Sequence, residues 1–454
     1  MTADQVGRTV GGTVEGLGGV VVTGAEVDSR LVRDGDLFVA LAGERADGHD
    51  YVASALERAT AALVRTETGL GDLPPDRALI RVPDPLTAYW ELARSERQER
   101  DWTVVAVTGS VGKTTVKDFL AHLLSNHHPT GATSGNRNST LGLPAQLLSQ
   151  PDSVEVFVAE AGMSRPGELD TLGRILQPIG VLLYTRIAPV HTEFFADLTG
   201  IIEAKAELVP YLEGSGTLVV NADDRHQDGY PIATSARVLR YGKEGDARIE
   251  DLEDLGLLGT RFEIVLPDGR ASVALDLPGR HQAENLLAAA AAGSALGLTA
   301  EQIAGAASDL EAAPHRGRLH RLGGGAVLVD DSYNASPVAV ATMLELLASV
   351  PNRRVAVLGE MYELGELTVQ AHREVGEQAA RSCDLLVAVG GEPAGVLAEA
   401  ARRAELESVH LVAGADDAAV LLKKHLEPGD VVLVKGSRGV GLDRTVAALI
   451  EEAA

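Results

Sequence analysis

The chain has 454 residues, of which 45% are hydrophobic, and its formal net charge is −25 at pH 7. A chain of this length is too long to fold around one hydrophobic core, so we expect two to four domains. The negative charge argues against general binding of nucleic acid, which requires a cationic surface. The single cysteine, Cys383, excludes an intrachain disulfide and a cysteine-based zinc site, and because no membrane-length apolar run or signal sequence is visible, we expect a cytoplasmic protein.

The first block, residues 1–101, predicts a small α/β domain. Its apolar runs at 37–41 and 78–82 are typical of strands. The segments 51–62 and 84–97 are typical of helices. A short polar stretch then precedes the next block.

The second block, residues 102–313, alternates strands with helices, which is the pattern of a parallel sheet. A more β-rich insert covers 237–275, and the alanine-rich run 283–297 predicts a closely packed helix. The predicted strands lie at 104–107, 156–159, 181–184 and 217–220, and the predicted helices at about 116–127, 166–176 and 199–213.

The third block, residues 314–454, predicts a Rossmann-like sheet. No GxGxxG follows its first strand, so a dinucleotide is not indicated. We therefore expect an α/β protein of three domains, with the parallel sheet of the second block in the middle. The predicted strands of the third block lie at 326–330, 354–358, 385–389, 409–412 and 431–434.

Residues 108–115 read TGSVGKTT and directly follow the apolar strand 104–107. Glycines at such a turn let backbone N–H groups face phosphate oxygens, and the next helix offers its positive N-terminus to the same anion. Lys113 would reach the β- and γ-phosphates, and the Thr114 hydroxyl would bind Mg²⁺. Val107 stands where a standard P-loop has its first glycine, which indicates a subtype. The motif therefore predicts an ATP- or GTP-handling protein rather than a chance glycine-rich turn.

Three further polar residues each have a structural and a functional interpretation. Glu160 ends a strand and could hold Mg²⁺ opposite the P-loop threonine, or could be an exposed loop residue. His191 follows the strand 181–184 by a few residues and on its own is more often a structural histidine. Lys205 lies on an amphipathic helix, where a solvated charge is the simplest interpretation.

Polar residues also follow the first strand of the third block. Two acids, an aromatic residue and an asparagine suit a ribose and base clamp, namely Asp330, Asp331, Tyr333 and Asn334, although residues 334–337 could equally be the N-terminal cap of a helix. An arginine at the joint between two domains can reach a phosphate when the cleft closes. The basic candidates are Arg316 and Arg318 at that joint, and the turn Lys435–Arg438 after the last strand.

Together these segments resemble the Mur ligases, the ATP-dependent amide-forming enzymes of peptidoglycan precursor assembly, over nearly the whole chain. Within that family, the strings DDSYNA and GEMYELG are similar to the branch that adds D-alanyl-D-alanine to a UDP-muramoyl tripeptide, and the DNPR string of the diaminopimelate-adding branch is absent. The matching segments are 28–30, 35–41, 43–44, 47–49, 108–115, 135–138, 204–207, 330–335, 359–365 and 435–438, with Glu160 and His191.

The resemblance implies roles for individual residues. Thr114, Glu160 and His191 would bind Mg²⁺, and Lys205 matches a lysine that the family carbamylates, which gives a carboxylate-like group near the metal. The residues implied in ATP binding are Gly109, Ser110, Val111, Gly112, Lys113, Thr114, Thr115, Asn285, Arg318, Asp331 and Asn334. Those implied in substrate binding are Ser29 and Arg30 near the UDP moiety, and Asn136 and Asn138 near the peptide.

The implied reaction passes through an acyl phosphate. ATP would phosphorylate the terminal carboxylate of the tripeptide, and the amine of D-Ala-D-Ala would then displace phosphate. Lys113 and Arg318 would stabilise the negative charge, together with two metal ions, one held by Thr114 and Glu160 and the other by His191, with Lys205 nearby. No covalent enzyme nucleophile is needed, and domain closure would exclude water from the acyl phosphate.

Two positions depart from the family pattern. Gln282 replaces the first asparagine of HNxxN, and Ser139 replaces the last asparagine of GNxNN. Another Mur-like ligase with a different acyl or amine substrate therefore stays open, as does, in another class, a non-catalytic nucleotide-binding protein. We expect ATP and Mg²⁺ as cofactors, UDP-MurNAc-tripeptide and D-Ala-D-Ala as partners, and a monomer.

Overall fold

The computed structural model of the chain describes residues 1–43, 46–69, 73–190, 192–195 and 197–451. Within these ranges, a five-stranded sheet, a six-stranded sheet and a second six-stranded sheet follow one another along the chain, and a small three-stranded sheet is inserted before the last. The predicted three-part α/β organisation is confirmed. None of the described helices is long and apolar enough to cross a bilayer.

The first sheet has the strand order β1-β5-β4-β3-β2 and is parallel except for β1. The predicted helix 51–62 is wrong in its second half, because the α-helix ends at Ala55 and a strand begins at Ala61. The first four residues of that strand are all buried. Its sequence therefore lacks the alternation of apolar and polar residues that marks a half-exposed strand, and it can be mistaken for a helix. The elements are α1 (Ala3–Val10), β1 (Thr13–Gly16), β2 (Gly24–Glu26), β3 (Asp36–Val39), α2 (Val52–Ala55), β4 (Ala61–Arg65), β5 (Ala78–Val82) and α3 (Pro85–Glu99).

The second sheet is parallel throughout, in the order β11-β10-β9-β6-β8-β7. Its central strand β6 (Thr103–Thr108) places Val107 beside Glu160 of β8 and Leu183 of β9. Because parallel strands share one carboxyl edge, the segments that leave these three strands meet. The other elements are α4 (Lys113–Ser125), β7 (Thr130–Ala132), α5 (Gly142–Leu148), β8 (Val156–Glu160), α6 (Glu168–Leu176), β9 (Ile179–Tyr184), α7 (Leu198–Ala206), β10 (Leu212–Asn221) and β11 (Arg237–Tyr241).

The predicted helix 199–213 is also too long. Helix α7 ends at Ala206, a 3-10 turn covers Val209–Tyr211, and β10 begins at Leu212. Pro210 lies in this turn, and proline has no N–H to continue a helical ladder. The elements β7 and α5 had no counterpart among the predicted segments.

The alanine-rich helix is confirmed as α8 (Arg280–Ala295) and packs against α4. Its alanines from Ala288 to Ala292 are all buried, so small side chains allow the two helices to approach closely. The inserted sheet covers one side of this helix with antiparallel strands. Its elements are β12 (Arg248–Asp254), β13 (Thr260–Leu266) and β14 (Gly269–Leu275), and α9 (Ala300–Ala307) follows α8.

The third sheet has the order β15-β16-β20-β17-β18-β19, with only its edge strand β15 antiparallel. All five strands predicted for this block are confirmed. Its elements are β15 (Arg318–Arg321), β16 (Val327–Asp330), α10 (Pro337–Ala348), β17 (Arg354–Gly359), α11 (Thr368–Ser382), β18 (Leu385–Val389), α12 (Glu392–Arg403), β19 (Val409–Val412), α13 (Ala415–His425), β20 (Val431–Lys435) and α14 (Asp443–Glu451).

A buried arginine joins the first two blocks. Arg97, near the end of α3, is 3% exposed and donates hydrogen bonds to the carbonyl oxygens of Leu176, Trp102 and Pro178 at 3.2, 3.1 and 2.9 Å. These carbonyls belong to the end of α6 and to the segments that enter β6 and β9. One guanidinium therefore satisfies backbone acceptors that would otherwise be buried without a partner.

We expect Arg97→Ala to lower the free energy of unfolding by about 2–4 kcal/mol, because several buried carbonyls lose their donor. Thermal and urea unfolding measure the change. Arg94→Ala, one turn earlier on α3, is the matched control. It removes an ion pair with Glu91 at 3.3 Å whose partners are half exposed, so its expected cost is about 0.5 kcal/mol or less. Equal effects of the two variants would contradict this role of Arg97.

Candidate functional site

A cleft of about 510 Å³ lies between the carboxyl edge of the second sheet and the third block. One wall carries the P-loop and the loops after β7 and β8, and the other carries the segments after β16, β17 and β20. The sequence-predicted site residues that line it are Ser110, Val111, Gly112, Lys113, Thr114, Asn136, Asn138, Glu160, Asp331 and Asn334.

Two glycines shape the P-loop. Gly109 has a φ of +145° and Gly112 a φ of +89°, conformations that disfavour other residues. A Cβ on Gly109 would collide with the Thr185 hydroxyl, and a Cβ on Gly112 would lie 2.8 Å from Asn285 Oδ1. Asn285 therefore packs against the loop from behind without lining the cleft. Helix α4 begins directly after Gly112, so its N-terminus points into the cleft.

Two lysines meet at the Gly109 carbonyl oxygen, since Lys113 Nζ and Lys205 Nζ each donate to it at 2.8 Å. Lys205 is 1% exposed, so the interpretation as a solvated charge is wrong. Burial, and secondarily the charge of Lys113, holds the pKa of Lys205 well below its usual range. Burial also lowers the pKa of Lys113, and the charge of Arg316 adds to that effect while Glu160 opposes it.

Glu160 faces the P-loop from the end of β8. It is 1% exposed, so the alternative of an exposed loop residue is wrong. Its Oε1 accepts from Asn138 Nδ2 at 2.6 Å, whereas its buried Oε2 has no hydrogen-bond partner among the described residues. A buried carboxylate oxygen left without a donor, in a cleft shared with the Thr114 hydroxyl, is a donor set that suits Mg²⁺.

His191 lies outside the described residues, so its predicted metal role stays a prediction. Its neighbours define this end of the cleft. Val190 lines it, and Thr192 Oγ1 donates to the carbonyl of Leu364 at 2.8 Å. The second and third blocks therefore touch here through a direct hydrogen bond.

The wall from the third block is built around a buried lysine. Lys435, 4% exposed, donates to Asp331 Oδ2 at 2.5 Å and to the Asn334 carbonyl at 2.9 Å. The helix-cap interpretation also holds, because Ser336 caps α10 and Pro337 opens it. Cap and cleft wall therefore occupy the same segment, and Asp331 and Asn334 line the cleft from it while Lys435 holds the Asp331 carboxylate.

Other predicted residues lie elsewhere. Arg318 is exposed on the edge strand β15 and does not line the cleft, whereas Arg316, two residues earlier, does. Ser29 and Arg30 follow β2 on the first sheet, where the exposed Arg30 pairs with Asp28 at 2.7 Å. Thr115 follows Thr114 in α4, away from the cleft lining.

Sequence reasoning placed Tyr333 in the ribose and base clamp but missed Tyr362. Tyr333 and Tyr362 both line the cleft, and a Cβ on Gly439 would lie 2.7 Å from the ring of Tyr362. Their signal was present, since each lies inside a string that marked the family resemblance. A P-loop and a partly unsatisfied carboxylate on one wall, which face a second α/β sheet across a cleft, are typical of a nucleoside triphosphate site.

Comparison with known proteins assigns the family. The model described as "Mur ligase middle domain" matches residues 107–293, "Mur ligase, glutamate ligase domain" matches 317–438, and "Mur ligase family, catalytic domain" matches 21–82. The UDP-N-acetylmuramoyl-tripeptide–D-alanyl-D-alanine ligases of Bacillus subtilis and Escherichia coli are 33% and 32% identical, covering 95% and 99% of this chain and 94% and 98% of their own lengths.

Solved structures of similar fold support the same family assignment. MurF from Acinetobacter baumannii has a TM-score of 0.86 at 29% identity, covering 99% of this chain and 98% of its own. MurF from Thermotoga maritima in complex with ADP has a TM-score of 0.79 at 32% identity, covering 95% and 98%. The chain therefore belongs to the Mur ligase family, in its MurF branch.

The burial of Lys205 leads to a stability prediction. In bicarbonate-free buffer at pH 7, we expect Lys205→Met to unfold at a higher temperature than the wild type, because methionine needs no water or counter-ion. A lysine whose pKa is lower when folded binds fewer protons in that state, so wild-type stability rises with pH up to the usual value of 10.5. The advantage of the methionine variant should therefore shrink as the pH rises from 7 towards 10.5.

Thermal unfolding over this pH range measures the effect. Lys243→Met, at an exposed lysine, is the control and should show no pH-dependent difference from the wild type. A methionine advantage that stays constant or grows with pH would contradict a lowered pKa of Lys205.

Proposed function

We propose that this chain is an ATP-dependent ligase that joins D-alanyl-D-alanine to UDP-MurNAc-tripeptide, giving UDP-MurNAc-pentapeptide, ADP and phosphate. The observation that carries the proposal is the cleft itself, in which the P-loop lysine and a partly unsatisfied carboxylate face a second α/β domain. The names of the full-length relatives supply the substrates. This is a step in peptidoglycan precursor synthesis, for which we expect a cytoplasmic monomer.

The chemistry proceeds in two displacements. An oxygen of the tripeptide carboxylate attacks the γ-phosphorus of ATP, and the bond to the β,γ-bridging oxygen breaks with its electron pair going to ADP. The amine of D-Ala-D-Ala then attacks the acyl carbon, the carbon–oxygen bond breaks, phosphate leaves with that electron pair, and the nitrogen loses a proton. Each step gathers negative charge, which Lys113 and Arg316 in the cleft would stabilise.

Residues of the second and third blocks would bind ATP from both walls. The P-loop N–H groups, from Gly109 to Thr115, and Lys113 would hold its phosphates. Asn285 supports the loop from behind, and its Nδ2 donates to Gln282 Oε1 at 3.2 Å. Asp331, Asn334 and Arg318 would also bind ATP in this proposal. Arg318 is exposed on β15, so its side chain would have to reach into the cleft from that strand.

The metal-binding groups fit Mg²⁺. Thr114 and Glu160 would hold one ion and His191 a second, and the bound ions would neutralise charge on the phosphates. Lys205 would contribute as a carbamate. Burial lowers the pKa of its amine, which supports this because only an unprotonated amine has the lone pair that adds to carbon dioxide. Ser29 and Arg30 would contact the UDP moiety, and Asn136 and Asn138 the peptide.

We expect phosphate release to require UDP-MurNAc-tripeptide, D-Ala-D-Ala and ATP together, and Lys113→Ala to lower the rate at least about 100-fold, because a phosphate-stabilising charge is lost. A coupled phosphate assay over several UDP-muramoyl peptides and D-dipeptides measures both. Phosphate release with a different acyl or amine substrate would still indicate a ligase but would contradict the proposed MurF substrates. Binding of ATP without formation of ADP would favour the non-catalytic alternative.

For the carbamate, we expect Lys205→Ala to lose activity and to regain part of it with acetate or formate, which can place a carboxylate where the carbamate would lie. The same steady-state assay, with and without the added anion, measures this. Lys113→Ala is the matched control, since its lost group is a cation and a carboxylate cannot replace it. Full activity of Lys205→Ala without additives would reject the role.

A further inference from the structure

An ion pair that joins the first and second blocks lies between two loops of the proposed acyl-substrate site. Arg137 Nη2 donates to Glu26 Oε2 at 2.6 Å, and Glu26 is 6% exposed. Glu26 ends β2, whereas Arg137 lies between Asn136 and Asn138 in the loop after β7. The family pattern GNxNN leaves the residue at position 137 open, so the resemblance does not imply this contact.

The other oxygen of Glu26 shapes the loop that would hold UDP. Glu26 Oε1 accepts from the N–H groups of Val27 and Asp28 at 2.9 and 3.1 Å. The carboxylate of Asp28 in turn accepts from the backbone N–H of Arg30 at 3.0 Å. Glu26 therefore fixes the backbone that enters this loop with one oxygen and holds Arg137 with the other.

The loop that carries Arg137 has two further anchors. Trp90 Nε1, on α3 of the first block, donates to the Thr140 carbonyl at 2.8 Å. On the cleft side, Asn138 Nδ2 donates to Glu160 Oε1 at 2.6 Å. Arg137 thus lies between a contact to the first block and a contact to the candidate metal carboxylate, and removal of its ion pair leaves these two anchors in place.

We propose that Glu26 and Arg137 are positioning residues that set specificity for the acyl substrate. Their ion pair fixes the separation between the loop 28–30, where the UDP group would bind, and the loop 135–139, where the peptide would bind. Neither residue lines the cleft, so the pair acts through these loops and not on the reacting atoms. This inference rests on the proposed function.

A fixed separation favours a substrate whose two ends match it. Binding energy from UDP, which is remote from the reacting carboxylate, can assist the reaction only where the protein holds both contacts at once. A pair of opposite charges buried between two blocks supplies this connection, whereas an exposed pair is weakened by water and salt. The pair should therefore matter for a substrate that carries UDP and much less for a peptide that lacks it.

The test compares UDP-MurNAc-tripeptide with MurNAc-tripeptide, which lacks the nucleotide, as substrates of the full-length enzyme. We expect Glu26→Gln and Arg137→Met each to lower kcat/KM for the UDP-linked substrate about 10-fold or more, with a change of less than about threefold for MurNAc-tripeptide. Glutamine keeps an acceptor for the two N–H groups but offers no second oxygen to Arg137. The double variant should lose no more than either single variant, because the two residues act as one unit.

Asp152→Asn is the matched control. Asp152 pairs with Arg100 at 2.9 Å and so also joins the first two blocks, but neither residue lines the cleft. Its kinetics should equal those of the wild type with both substrates. Thermal unfolding checks that the variants fold, and the double variant, which leaves no buried charge at this position, tests the proposal where a single variant does not fold.

Equal losses with both substrates would overturn the proposal and assign the pair a structural role only. Unchanged kinetics in the two single variants and the double variant would also overturn it. A wild-type enzyme inactive with UDP-MurNAc-tripeptide and D-Ala-D-Ala would instead reject the proposed function, so the two failures are distinguishable.

Discussion

The carbonyl oxygen of Gly109 accepts hydrogen bonds from the amines of Lys113 and Lys205, and much of the site depends on this shared acceptor. Two ammonium groups on one oxygen repel each other, and burial raises the free energy of both charges. The conflict is relieved when an anion lies beside Lys113 or when Lys205 is neutral. The proposed reaction provides both, because phosphates would face Lys113 and a carbamate would remove the positive charge of Lys205.

The cleft around these lysines is held by polar contacts that cross between blocks. Arg137, between the two asparagines Asn136 and Asn138, pairs with the buried Glu26 of the first sheet at 2.6 Å. Thr192 reaches the Leu364 carbonyl on the opposite side. These contacts join the second block to the first and to the third. A movement of the third block relative to the second would therefore change the distance between the P-loop and the third sheet.

Much of the fold could be predicted because its strands are apolar runs that end in glycine, proline or polar residues. The prediction of a helix over 51–62 failed for a physical reason. Residues 61–64 are all buried, so their side chains show no alternation of buried and exposed positions that would distinguish a strand from a helix. In the site, Lys113 and Glu160 could be placed because Glu160 ends a parallel strand and Lys113 follows the loop that leaves another. Burial of Lys205 and the inward direction of Arg316, rather than Arg318, depend on tertiary packing and on a left-handed His315.

The two departures from the family pattern differ in their consequences. Gln282 keeps an amide beside Asn285 one helical turn away, and Asn285 in turn abuts Gly112, so the support behind the phosphate loop is preserved. Ser139 accepts a hydrogen bond from the Gly142 N–H at 3.2 Å and thereby serves the start of α5, but its short side chain leaves more room in the cleft than asparagine would. Any difference in substrate between this chain and its relatives should therefore arise on the acyl-substrate side of the cleft, because the support behind the phosphate loop is preserved.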